Sequence, residues 1–95
     1  MQPCVYIVSN HRYGTLYIGV TSDIARRAYE HKKGLIDGFS RRYGLKRLIW
    51  YELHENMEAA IAREKQMKAW QRSWKIKTIE KVNPVWADLY DTLNT

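Results

Sequence analysis

Cysteine occurs once in this chain, at Cys4, so an internal disulfide is excluded and stability must come from packing. The three histidines (His11, His31, His54) are scattered, and with a single cysteine they leave no zinc-type spacing. Two prolines are too few for a linker-rich chain, and 45% hydrophobic against 27% charged residues excludes disorder over most of the length. No apolar run approaches membrane-spanning length, and the first residues show no charged region followed by an apolar core. A cytoplasmic protein without a membrane partner is expected. Acid is the scarcer charge, with ten Asp and Glu against sixteen Lys and Arg for a net +6.

Ninety-five residues make one domain, 1–95, which buries roughly 60–65% of its unfolded surface. The positive excess is clustered. Arg41, Arg42, Lys46 and Arg47 fall between Ser40 and Trp50 without an acid. Between Lys65 and Lys81 the cations include Lys65, Lys68, Arg72, Lys75 and Lys77, and Glu80 is the single acid. Clustered cations favour a polyanionic partner, nucleic acid first, over a merely solvated surface. Lys32, Lys33, Arg41, Arg42, Lys46, Arg47, Lys68 and Arg72 are the expected nucleic-acid contacts.

Two runs rich in β-branched and aromatic residues, 4–8 and 15–20, flank the turn-rich stretch 9–14 and predict a hairpin. If Val8 pairs with Thr15, Tyr6 stands opposite Tyr17 and the two phenols share a face. Thr21-Ser22-Asp23 supplies caps for a helix through about Lys33, stopped by Gly34. Its inward stripe is Ile24, Arg27, Ala28 and His31, with polar groups where a structural helix has leucines. The stretch 34–46 is expected to be loop with a helical turn near Phe39 to Tyr43, and 47–53 a third strand. Asn56 caps a helix expected to run from Met57 to about Arg72, with Met57, Ala60, Ile61, Met67 and Trp70 on its apolar stripe. Glu64 falls in that stripe, where a carboxylate must be paired or bound to a cation. A further helix from about Trp74 to Val82 is broken by Asn83-Pro84, and a last helical turn is expected to begin at Pro84. Trp70 and Trp74 are expected to close the core.

Each of these residues has an ordinary use. Aromatic residues in strands are mostly core, a lone buried histidine is mostly structural, and Arg27 with Glu64 suits a salt bridge between helices. Together they suit phosphodiester cleavage, which needs a group to activate water, a cation for the charge growing on phosphate, and stabilisation of the leaving oxygen. The planar fork of Arg27 suits phosphate, and Glu64 is a hard oxygen ligand for Mg²⁺ or Mn²⁺.

At these residues the sequence resembles the GIY-YIG nuclease family, especially its small single-domain bacterial members. The first half-motif stands as Cys4-Val5-Tyr6, with cysteine in place of the usual glycine, and the second is intact as Tyr17-Ile18-Gly19. Arg27 follows the second tyrosine by ten residues, His31 lies four further on, Glu64 matches the family's metal-binding glutamate, and Asn83 resembles a late asparagine. The resemblance implies a small α/β (α+β) domain, with a three-stranded antiparallel sheet flanked by helices. It also implies hydrolysis of DNA with a single metal. On that basis Tyr6 or Tyr17 activates water, His31 orients or deprotonates the attacking group, Arg27 holds phosphate and Glu64 binds Mg²⁺ or Mn²⁺, with Gly19 and Asn83 supporting the site. The implied role is a nicking or structure-specific endonuclease of repair or recombination, acting on double-stranded, branched or single-stranded DNA. A protein partner or self-association would supply selectivity. The alternative is a DNA- or RNA-binding module with little or no cleavage.

Overall fold

The computed structural model describes residues 2–93; the expected domain 1–95 includes Met1, Asn94 and Thr95, which lie outside the described residues. Three strands, β1 (Cys4–Ser9), β2 (Leu16–Thr21) and β3 (Arg47–Leu53), form one antiparallel sheet in the order β2-β1-β3. Helices α1 (Ile24–Lys32) and α2 (Phe39–Arg42) lie between β2 and β3 in sequence. Helices α3 (Met57–Lys68) and α4 (Arg72–Val82) follow, and a 3-10 turn (Leu89–Thr92) closes the described chain. No helix among the described residues is long and apolar enough to cross a membrane.

Strand alternation divides the buried residues into two layers. Val5, Ile7, Ile18, Ile49 and Trp50 face α3 and α4, where they pack with Ala60, Met67, Ile79 and Trp86. Tyr6, Val8 and Leu48 face the other way and pack with Ala28 of α1 and Leu45. Ile49 and Trp50, although adjacent, join the same layer because the β1–β3 pairing slips between Ile7 and Val8 and leaves Ile49 as the extra residue of a bulge.

The hairpin register differs from expectation by two residues. Tyr6 pairs with Gly19 and Val8 with Tyr17, because Thr15 donates its N–H to Asn10 Oδ1 at 3.0 Å and so belongs to the loop. A two-residue slip keeps every side chain on its face, so the phenols remain neighbours, with ring centroids 6.4 Å apart.

The cap expectations are met. Asp23 accepts from the N–H of Arg26 at 3.2 Å and Asn56 from that of Ala59 at 2.8 Å. Helix α3 ends at Lys68 rather than Arg72, and Ile61 is exposed on its outer side. Trp74 is also exposed, and the tryptophan that closes the core is Trp86. Trp86 is held in a turn at φ 57° rather than in a helix, and its indole N–H donates to Glu80 Oε2 at 2.8 Å.

Candidate active site

The α1 face of the sheet carries Tyr6 and Tyr17, and the inward stripe of α1 sets Arg27 and His31 against them. Gly19 makes this possible. A Cβ at that position would come within 2.5 Å of the Tyr6 hydroxyl oxygen, so the Tyr6 ring lies across β2 only because its strand partner has no side chain. Tyr6 and His31 are almost wholly buried, and the phenol oxygen lies 3.0 Å from His31 Nε2. His31 Nδ1 lies 2.6 Å from the Oγ of Ser40, which is buried on α2.

Burial pushes the Tyr6 phenol up to about 12, against the opposing pull of the Arg27 guanidinium, which acts on the phenol oxygen as a donor. Burial likewise pushes His31 down to about 4, helped by the positive charge of Arg27 and opposed by Glu30. Near neutral pH Tyr6 therefore keeps its proton and His31 is uncharged. These states fix the direction of the hydrogen bonds. Arginine only donates, so the Tyr6 oxygen accepts from the Arg27 side and its O–H donates to His31 Nε2. Nδ1 then carries the imidazole proton and donates to Ser40 Oγ. The result is a buried chain running from Tyr6 through His31 to Ser40.

Arg27 keeps a side chain about one-third exposed and pairs with Glu30 at 3.2 Å. Burial works against its charge, but the Tyr6 bond and the Glu30 carboxylate outweigh that and raise its pKa above the ordinary value. It opens onto a cleft of about 230 Å³ shared with Thr21, Ser22, Asp23, Arg26 and Glu30.

Tyr17 is half-buried and borders a second cleft of about 260 Å³, which it shares with Leu16, Ile18, Phe39, Lys68 and Lys75. Lys68 joins the two layers at this point. Its ammonium lies 5.9 Å from the Tyr17 ring centroid and 3.2 Å from Glu64 Oε2. Glu64, with a side chain 15% exposed, is thus linked to Tyr17 through the Lys68 ammonium. Among the described residues Arg27 pairs with Glu30 and Glu64 with Lys68, so the two do not form a salt bridge with each other.

Asn83 does not join this group. Its Nδ2 donates to the carbonyls of Ile49 and Ala87, and its Oδ1 accepts from the N–H of Ala87, all at 2.9–3.0 Å. These bonds tie the end of α4 to β3, in place of the expected support for the site.

Several of the expected nucleic-acid contacts are held inside the molecule. Arg72 donates to the carbonyls of Tyr13 and Gly14, and Arg47 to that of Trp86, each at 2.6 Å. Lys32 pairs with Asp88 at 2.7 Å, and this bond, with the Tyr90 and Leu48 N–H groups, outweighs burial and holds the carboxyl below the usual range. Lys33, Arg41, Arg42 and Lys46 are exposed, with Arg41 paired to Asp37 at 3.0 Å.

Ser40 was not anticipated from the sequence. The available signal was that a helical turn spanning Phe39 to Tyr43 has a single inward position, and an inward hydroxyl requires a partner. Cys4 needs no functional account. It is fully buried, and desolvation pushes its thiol up to about 11.

No group of three or more His, Cys, Asp or Glu side chains among the described residues could hold a metal by itself. Glu64 is a single hard carboxylate. It fits a dication of the Mg²⁺ kind, which keeps most of its waters and takes one or two carboxylates together with substrate phosphate.

A family model described as the GIY-YIG catalytic domain matches residues 2–77. That stretch takes in both tyrosines, Arg27, His31, Ser40 and Glu64 and leaves out Asn83. The UPF0213 protein HQ_3675A of Haloquadratum walsbyi is 32% identical over 66 residues, covering 70% of this chain and 74% of its own. The UPF0213 protein SSP2268 of Staphylococcus saprophyticus is 29% identical over 75 residues, covering 79% and 90%. Among solved structures, the solution NMR structure of the UPF0213 protein BH0048 from Bacillus halodurans matches with a TM-score of 0.54 at 28% identity, covering 87% of each chain.

Proposed function

The chain belongs to the GIY-YIG family of catalytic domains, and from that premise we propose that it is a divalent-metal-dependent endonuclease hydrolysing phosphodiester bonds in DNA. One observation carries the reading: a half-exposed phenol, Tyr17, stands beside a buried Tyr6–His31–Ser40 chain that carries Arg27, and Lys68 joins the Tyr17 ring to Glu64.

The two phenols divide the work. Tyr6 is buried, keeps its proton and donates a hydrogen bond through it to a neutral imidazole, so it is a positioning group. Tyr17 borders open space, so its hydroxyl oxygen orients the attacking water and takes up its proton while the phenol's own proton passes to bulk solvent. Arg27 donates its planar fork to the phosphate oxygens as negative charge grows on them. The Tyr6 oxygen fixes Arg27, His31 fixes Tyr6, and Ser40 fixes the tautomer of His31. Glu64 would hold the metal, exchanging its bond to Lys68 for it. Bound there, Mg²⁺ or Mn²⁺ supplies Lewis-acid stabilisation of the phosphate and the leaving oxygen. Nicking of branched or damaged DNA in repair or recombination, inside the cytoplasm, is the role that this chemistry suits.

Incubation of the protein with supercoiled, branched and single-stranded DNA in Mg²⁺, Mn²⁺ or EDTA tests the proposal. Nicking is expected with metal and not with EDTA. Tyr17→Phe and Glu64→Gln are each expected to lower its rate by about 100-fold or more, and Tyr6→Phe by clearly less. Nicking that survives in both Tyr17→Phe and Glu64→Gln defeats the assignment. A protein that binds DNA in a salt-dependent way but cuts none of the substrates is instead the binding module, a reading that the Glu64–Lys68 pair favours.

A further inference from the structure

Three aromatic rings run outward from the candidate site in an unbroken row. Tyr17 stacks on Phe39, with ring centroids 6.4 Å apart and planes 29° from parallel, and Phe39 meets Tyr43 at 4.7 Å. The two outer rings lie on the surface, Phe39 48% and Tyr43 45% exposed. In so small a domain, contiguous exposed rings need an occupant or leave a standing hydrophobic cost.

The surroundings of the row are cationic. The Arg42 guanidinium lies 5.6 Å from the Tyr43 ring centroid and the Lys68 ammonium 5.9 Å from that of Tyr17. Lys75 lines the cleft between Tyr17 and Phe39. The nearest acid in sequence, Asp37, is paired with Arg41. The row is also coupled to the site. Ser40, which bonds His31, follows Phe39 directly on α2, so the same docking that completes the buried chain sets Phe39 on Tyr17.

We propose that the Tyr17–Phe39–Tyr43 row is a stacking platform for unpaired bases, so that the preferred substrate of this site is DNA with a single-stranded segment next to the scissile phosphate. Paired bases in a duplex are already stacked on one another and offer no face to Phe39, whereas an unpaired base offers one whatever its sequence. Arg42 and Lys75 supply the charge that tracks a phosphate backbone beside such a platform. The proposal rests on Tyr17 marking the phosphodiester site, but its own test does not depend on cleavage.

The experiment measures fluorescence anisotropy in EDTA with a labelled oligothymidylate and a blunt duplex of equal length. A strand carrying 2-aminopurine is used in parallel. The wild-type protein is expected to bind the single strand more tightly than the duplex and to quench 2-aminopurine by stacking. Phe39→Leu and Tyr43→Leu are each expected to weaken single-strand binding by about 10-fold, to change duplex binding less than about 2-fold, and to abolish the quenching. Both variants keep an apolar side chain, and Tyr43 lies at the end of α2, so an unchanged unfolding midpoint in Tyr43→Leu secures the comparison. Variants that bind the single strand as the wild type does, or lose single strand and duplex equally, overturn the proposal. A protein that stacks the strand but cuts nothing with metal refutes the nuclease reading and leaves the platform standing. One that cuts with no regard to Phe39 or Tyr43 does the reverse.

Discussion

His31 is the residue on which the site turns, and its environment makes a pH prediction. Its pKa is about 4 in the folded protein, against an ordinary value of 6.5. Between those values the unfolded chain binds a proton that the folded one refuses, so stability rises with pH across the window and is lost on acidification. Urea unfolding at pH 7 and pH 5 is expected to differ by about 2 kcal/mol from this group, with a much smaller difference in His31→Gln. An equal difference in the variant places the acid sensitivity elsewhere. Face arithmetic made Tyr6, Tyr17, Arg27, His31 and Glu64 legible in the sequence, because strand and helix periods put polar groups where apolar ones belong. Ser40 was not legible that way, since a four-residue helix is too short to show a period. The need for glycine at position 19 emerged only with the true register, which brings the Tyr6 ring against it.

At the scale of elements, the sequence located every strand and the main helices, and it erred where tertiary packing decides. Nothing between Lys68 and Arg72 resembles a stop signal, as neither glycine nor proline is present. The chain nevertheless breaks there, with Trp70 folding back against the α3 layer and under the Arg63 guanidinium, 5.1 Å from the ring centroid. Trp86 takes the core place expected of Trp74 for a related reason. Asn83 and Glu80 build a turn that pushes the Trp86 indole into the core, and helical spacing does not foresee a residue at φ 57°. Asn83 is therefore a structural hinge pin. Asn83→Ala removes three hydrogen bonds at a buried position and orphans carbonyls in β3 and the turn. A loss of about 2–4 kcal/mol is expected by urea unfolding, while DNA binding per folded molecule stays at the wild-type level. Binding lost in proportion to no change in stability would return Asn83 to the site.

Over the whole molecule, the net charge of +6 says less about binding than the employment of each cation does. Arg47 and Arg72 hold backbone carbonyls, Lys32 holds Asp88, and Lys68 holds Glu64. Arg42 and Lys75 have no ion-pair partner among the described residues and flank the row beside Tyr17. Each phosphate neutralised by a protein cation adds about 0.7 to the slope of log affinity against log salt for a single strand and about 0.9 for a duplex. Removing Arg42 and Lys75 together is therefore expected to flatten the single-strand slope by about 1.4, with the unfolding midpoint little changed. Arg72→Ala removes one unit of charge but should leave the slope nearly as it was, where a phosphate contact would flatten it by about 0.7. Its loss frees two carbonyls of the hairpin loop, costing about 1–2 kcal/mol, a fall of several degrees in the midpoint. If Arg72→Ala instead flattens the slope at constant stability, its guanidinium leaves the loop to meet DNA, and the division between structural and binding cations fails at that position.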